Sequence, residues 1–207
     1  MSARKRGNLR LGSNVVELLL PHRRPLLLVD FIDHFEDGEI PLLRAGKQVT
    51  AADPVFEGHF PGLHLWPGIF VIEGLGQTCH LLSVVLELRR GFAERGADPD
   101  AALDTLRNLD LGFRLHPGFK PEMADEVRAA LEEAGAHLGL ATSVDVKLVK
   151  PVFAGQQIDY EARITHRLDN MVRCEIEARV EGKTVVRGSN SASVGHLVPW
   201  LFENRPK

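Results

Sequence analysis

Cysteine is scarce in this chain: Cys79 and Cys174 are the only two among 207 residues. Two are too few for a disulfide framework, and they are not spaced as a metal-ligand pair. A reducing compartment is expected. Charge of one sign is lacking as well, since 25 Lys and Arg stand against 28 Asp and Glu for a formal net charge of -3. No basic excess argues for nucleic acid, and no acidic block argues for a solvating tail. Long apolar runs are missing: Leu18-Leu19-Leu20 and Leu26-Leu27-Leu28-Val29 are far too short to span a bilayer, so no membrane role is expected. The start has no apolar h-region with a small-residue cleavage site, so no signal peptide is expected and the cytoplasm is the default. There is no Gly-rich phosphate loop and no nucleophile elbow, and the histidines show no metal-ligand spacing. No metal is expected.

What is present reads as one domain with an insertion, large enough to bury a substantial core. Residues 1–12, with the basic run Arg4-Lys5-Arg6, read as a flexible arm. Asn14 to Leu20 is a short helix stopped by Pro21. Leu26 to Phe35 and Ile40 to Thr50 are the strands of a hairpin around Asp37-Gly38. After a Pro/Gly-dense loop at 53–68, Ile69, Ile72, Leu75, Gly76, Cys79, Leu82 and Leu86 recur at helical spacing. Val71, Leu81 and Val85 extend the apolar surface nearly all round, which predicts a central helix wrapped by other structure and ending at Arg89-Arg90-Gly91. Leu138 to Lys150, Gln156 to His166, Met171 to Glu181 and Lys183 to Val194 read as long strands joined by tight turns. Residues 91–137 break the pattern with two weak helical segments, Asp100 to Leu109 and Pro121 to Ala136, and read as a helical insertion on the surface. The class is therefore α+β: a long central helix wrapped by a curved antiparallel sheet, within a domain over 13–198 followed by a tail at 199–207.

The chemistry concentrates in Phe56-Glu57-Gly58-His59-Phe60-Pro61-Gly62 and, fourteen residues after His59, in Glu73. Gly58 and Pro61 fix the turn that presents His59, and Phe60 offers an apolar wall. Glu73 is a lone carboxylate among Ile69, Phe70, Val71 and Ile72, and an unpaired charge is costly to bury there. An apolar setting would keep it protonated, able to donate near neutrality. Gln77 lies at i+4 on the same face and can orient it. Pro67 fixes the helix entry, and the backbone N–H of Gly68 at the positive dipole end suits a developing oxyanion. His plus Glu in a dry site is a general acid–base pair by type. His22, in Pro21-His22-Arg23-Arg24-Pro25, reads as part of a rigid, solvated basic loop with the capacity to receive phosphate.

These residues resemble a known family, the β-hydroxyacyl-acyl-carrier-protein dehydratases of the FabZ/FabA group, which have the hotdog fold. The resemblance is carried by Leu19-Leu20-Pro21-His22-Arg23-Arg24-Pro25-Leu26-Leu27-Leu28-Val29-Asp30, Gly58-His59-Phe60-Pro61-Gly62, Phe70-Val71-Ile72-Glu73-Gly74-Leu75-Gly76-Gln77 and Lys150-Pro151-Val152-Phe153-Ala154-Gly155-Gln156-Gln157. It implies His59 as the catalytic histidine and Glu73 as the catalytic carboxylate, with glutamate as in the FabZ type. It further implies Gly68 N–H as the donor to the thioester carbonyl, Gln77 as support for the carboxylate, and no cofactor. The implied substrate is a thioester on acyl-carrier protein or coenzyme A. The implied assembly is a homodimer, or a trimer of dimers, with His and Glu supplied by different subunits. A hotdog thioesterase, a specialised polyketide-pathway dehydratase and a non-catalytic acyl-binding subunit remain alternatives. The sequence departs from the family in its long 91–137 insertion, the apolar Val198-Pro199-Trp200-Leu201-Phe202 and the bulky Leu63-His64-Leu65-Trp66.

Overall fold

The computed structural model describes residues 7–120, 139–168 and 171–194. Gly7–Leu11 forms strand β1 and Ser13–Leu19 forms helix α1; strands β2 (Phe31–Glu36) and β3 (Leu42–Gln48) follow. A single 3-10 turn at Pro54–Glu57 and the two-residue strand β4 (Leu65–Trp66) lead into helix α2 (Gly68–Glu94), then α3 (Asp100–Leu115). The second half is β5 (Gly139–Leu148), β6 (Val152–Phe153), β7 (Gln157–Leu168), β8 (Met171–Val180) and β9 (Lys183–Val194). Seven strands make one antiparallel sheet in the order β1-β2-β3-β7-β8-β9-β5, while β4 pairs with β6 alone.

Alternation in the strands decides which face of this sheet meets the helix. In β8, Val172, Cys174, Ile176, Ala178 and Val180 are buried, while Arg173 and Glu175 between them are exposed. In β7, Ile158, Tyr160, Ala162 and Ile164 do the same. Against this inner face lies α2, touching β3, β5, β7, β8 and β9. Its Leu75, Leu81, Leu82 and Val85 are fully buried, each contributing about 1.5–3 kcal/mol by leaving water. The helix is long and apolar enough to cross a membrane, but 56% of its most apolar window is buried inside this fold. It is a core helix, and the architecture is the hotdog arrangement that the sequence predicts.

The helix approaches β7 closely because Gly74 has no side chain: a Cβ there would lie 2.4 Å from the Tyr160 hydroxyl and 2.5 Å from its Cζ. Tyr160 is fully buried and anchored in a central strand, so it has little room to yield. Gly74→Ala should therefore cost about 1–3 kcal/mol as overpacking, despite alanine's better helix propensity. Thermal unfolding checks this, and an unchanged or raised Tm would show that the contact relaxes freely.

Four expectations are revised. Residues 7–11 are no loose arm; Leu9 and Leu11 are buried and β1 pairs with β2, a tertiary pairing invisible in so short and basic a segment. The strand expected from Leu26 begins only at Phe31, because the backbone of Leu26 and Leu28 is bound to the Gln77 side chain instead of a neighbouring strand. Helix α2 runs past Arg89-Arg90-Gly91 to Glu94, since Arg89 is paired with Asp37 and Asp100, and Arg90 with Glu87 and Glu94. Helix α3 is not merely superficial: it buries Ala102, Leu106 and Leu109 and packs on α1, α2 and β1. There Asp110 accepts the Gly12 N–H at 2.7 Å and pairs with Arg114 at 2.7 Å. The second inserted helix, expected at 121–136, and the tail at 199–207 lie outside the described residues.

Candidate active site

His59 follows the Pro54–Glu57 turn, and its N–H donates to the Val55 carbonyl at 2.9 Å. Phe60 and Leu63 then exchange both backbone hydrogen bonds at 2.9 Å, closing a tight turn. The glycine this turn requires is Gly62, at φ +79, a region costly for other residues. Gly58, which could have supplied unusual backbone angles or a close approach, has an ordinary φ of -117 and open space where a Cβ would sit. The imidazole is oriented by its Nδ1, 2.9 Å from the Leu65 carbonyl. A carbonyl only accepts, so Nδ1 carries the hydrogen and Nε2 keeps its lone pair as a base. The Phe60 ring stacks on the imidazole at 4.1 Å, with 46% of Phe60 exposed. Aromatic contacts of Phe56 with His64 and Trp66, and of Trp66 with Phe70, join the turn to the start of α2.

Pro67, buried, caps α2, and Gly68 is its first residue. Among the described residues the Gly68 N–H has no partner, as befits the first turn of a helix. Leu148 of β5 covers the spot, its Cδ1 lying 3.1 Å from where a Gly68 Cβ would be.

One turn farther on, Glu73 is held by Gln77. The buried Gln77 amide donates to Glu73 Oε1 at 2.9 Å and to the Leu26 carbonyl at 2.6 Å, and its oxygen accepts the Leu28 N–H at 2.9 Å. The expected i, i+4 pairing is thus present. The apolar enclosure expected around Glu73 is not supplied by this chain alone, because 43% of its side chain is exposed. Sequence reading placed His22 in a basic loop able to receive phosphate and missed its approach to Glu73. Its Nε2 lies 3.5 Å from Glu73 Oε1, whereas proline-flanked arginines suggest only a solvated loop. His80, two turns beyond Glu73 on α2, has its imidazole pushed down to about 4, first by burial and then by the nearby His22.

Among the described residues, no hydrogen bond or ion pair joins His59 to Glu73. Among the described residues no group of three or more His, Cys, Asp and Glu is placed to hold a metal ion. The chain thus offers two candidate half-sites: an imidazole oriented by the Leu65 carbonyl, and on α2 a carboxyl held by Gln77, with a helix-start N–H that is unpartnered among the described residues.

Known proteins resemble parts of this chain. Residues 20–103 match the FabA-like domain model. The 3-hydroxyacyl-[acyl-carrier-protein] dehydratase FabZ of Nitratiruptor sp. is 46% identical over 118 residues, covering 55% of this chain and 76% of that protein. The FabZ of Latilactobacillus sakei is 40% identical over 81 residues, 39% of this chain and 56% of that protein. With most such relatives, including FabZ of Sulfurovum sp. and Escherichia coli, the chain spans about half of their length or less. Among solved structures, Cj0977, a sigma28-regulated virulence protein from Campylobacter jejuni, superposes with a TM-score of 0.50 at 9% identity, covering 92% of this chain and 93% of that one. That likeness concerns the fold alone. Fold and sequence identity agree: the chain belongs to the FabZ/FabA family of dehydratases.

Proposed function

We propose that the chain catalyses reversible dehydration of a β-hydroxyacyl thioester, carried by acyl-carrier protein, to the trans-2-enoyl thioester. His59 Nε2 takes the proton from the α-carbon. The negative charge that gathers on the thioester oxygen is received by the Gly68 N–H at the positive end of α2. Glu73 gives a proton to the β-hydroxyl as the carbon–oxygen bond breaks, so the double bond forms and water leaves. One proton then passes from His59 back to Glu73 through solvent, restoring both groups. No cofactor enters, because the thioester itself acidifies the α-carbon. The observation that carries this reading is the orientation of His59: the Leu65 carbonyl accepts from Nδ1 and leaves Nε2 as a base.

The active unit in this proposal is a homodimer with His59 of one copy facing Glu73 of the other. Support comes from the absence, among the described residues, of a hydrogen bond or ion pair between the two, and from the 43% of the Glu73 side chain that is exposed. Strand β5, at the end of the sheet, also exposes Leu140, Val144 and Leu148, an apolar edge suited to cover by a second copy. The two free, buried cysteines suit a cytoplasmic, reducing setting.

The test is turnover of β-hydroxybutyryl and β-hydroxydecanoyl thioesters on carrier protein and on coenzyme A. Ultraviolet absorbance reports the enoyl product, and a thiol reagent runs in parallel. Enoyl formation is expected from carrier-bound substrate. Thiol release without enoyl product would favour a thioesterase, and silence from every substrate would sink the dehydratase reading.

A further inference from the structure

The segment Pro21-His22-Arg23-Arg24-Pro25 has no task in the proposed reaction, yet it lies against the carboxyl that the reaction needs. Two nitrogens converge on one oxygen of Glu73. Gln77 Nε2 donates to Oε1 at 2.9 Å, and His22 Nε2 stands 3.5 Å from the same atom. Among the described residues no hydrogen bond reaches Oε2. On the far side of the His22 ring, Nδ1 is buried and has no hydrogen-bond partner there. A buried N–H without an acceptor is costly, so the ring's proton belongs on Nε2, where an acceptor is in reach.

His22 is held in place from both sides. Arg23 Nη1 donates to the Leu20 carbonyl at 2.9 Å and to the His22 carbonyl at 2.7 Å. Gln77 fastens the following backbone at Leu26 and Leu28. The charged and titratable groups around the ring are few: Glu73 and His80 from α2, and the exposed Arg23 and Arg24 from its own segment. His80 stays uncharged near neutrality, and among the described residues Glu73 is the one carboxyl paired with the ring.

We infer that His22 is a positioning residue: with Gln77 it clamps Oε1 of Glu73 and so leaves Oε2 as the oxygen that exchanges a proton with the substrate hydroxyl. The substrate half of this inference rests on the dehydratase reading; the clamp itself does not. A carboxyl held at one oxygen by two donors cannot swing away from the reacting centre, and misplacement by about 1 Å costs up to roughly 10²-fold in rate.

Two measurements test it. The first needs no turnover: nitrogen-15 NMR of the imidazoles identifies which His22 nitrogen is protonated. The proton is expected on Nε2, with a signal that moves in Glu73→Ala; a proton on Nδ1, or a signal indifferent to Glu73→Ala, overturns the clamp. The second is kinetic. His22→Leu is expected to lower kcat roughly tenfold to a hundredfold with KM little changed, and His22→Gln, which retains a side-chain donor, to recover most of it. In a Glu73→Gln background, His22→Leu should cost nothing more. Equal losses in the Leu and Gln variants, a change in KM alone, or a full additional loss in that background would overturn the role. A wild-type chain that forms no enoyl product would refute the dehydratase while the NMR result still decides the clamp.

Discussion

Replacing His59 with alanine is expected to lower enoyl-thioester formation by about 10²–10⁴-fold, the usual contribution of a positioned general base. Stability should hardly change. The imidazole makes one hydrogen bond, to the Leu65 carbonyl, and stacks on a half-exposed Phe60. Losing that bond costs about 1 kcal/mol, a fall in Tm of about 2–4 °C for a chain of this size. The turn itself is closed by backbone bonds between Phe60 and Leu63, which do not need the side chain. Stopped-assay kinetics with circular-dichroism melting on the same sample separates the two effects. A variant that turned over at near wild-type rate would remove His59 from the chemistry.

The second large effect concerns how the half-sites combine. His59→Ala and Glu73→Gln should each be almost inactive when pure. Co-expressed in equal amounts, they should recover about one quarter of wild-type activity through random pairing into symmetric dimers. In a mixed dimer one site lacks both groups, while the other takes His59 from the glutamine variant and Glu73 from the alanine variant. Half of all dimers are mixed, and half of their sites are whole. If both residues served one site within a single chain, no pairing could rescue either, and the mixture would stay as silent as its parts. Tandem affinity tags on the two chains isolate the mixed species, which should then show about half of wild-type activity per dimer.

Much of this was legible because local chemistry and fold agree. The three-and-four spacing from Ile69 to Leu86 places a buried helix at the right position, and the period-two pattern of Met171 to Val180 places a strand with the correct inward face. Glu73 and Gln77 stood out as polar residues in apolar company, and the structure joins them at 2.9 Å. What remained hidden depends on contacts distant in sequence. Gly7–Leu11 is a strand only because β2 is beside it. Residues 26–28 are apolar enough to be a strand, yet their backbone answers to a side chain 49 and 51 positions away. Likewise His22 carries no local sign of its place: prolines and arginines suggest exposure, and only the packing of the loop on α2 brings its ring to Glu73.

The bond from Gly12 N–H to the Asp110 carboxylate spans 98 positions. Helix α1 starts at Ser13 with no side-chain cap of its own, and α3, which packs on it, is made long after it. A chain emerging from the ribosome must therefore release 98 residues beyond Gly12 before α1 meets the group that fixes its start. Until then α1, at seven residues, is too short to persist alone. Packing of α1 should thus wait on the synthesis of α3, and any change in α3 will be felt at α1.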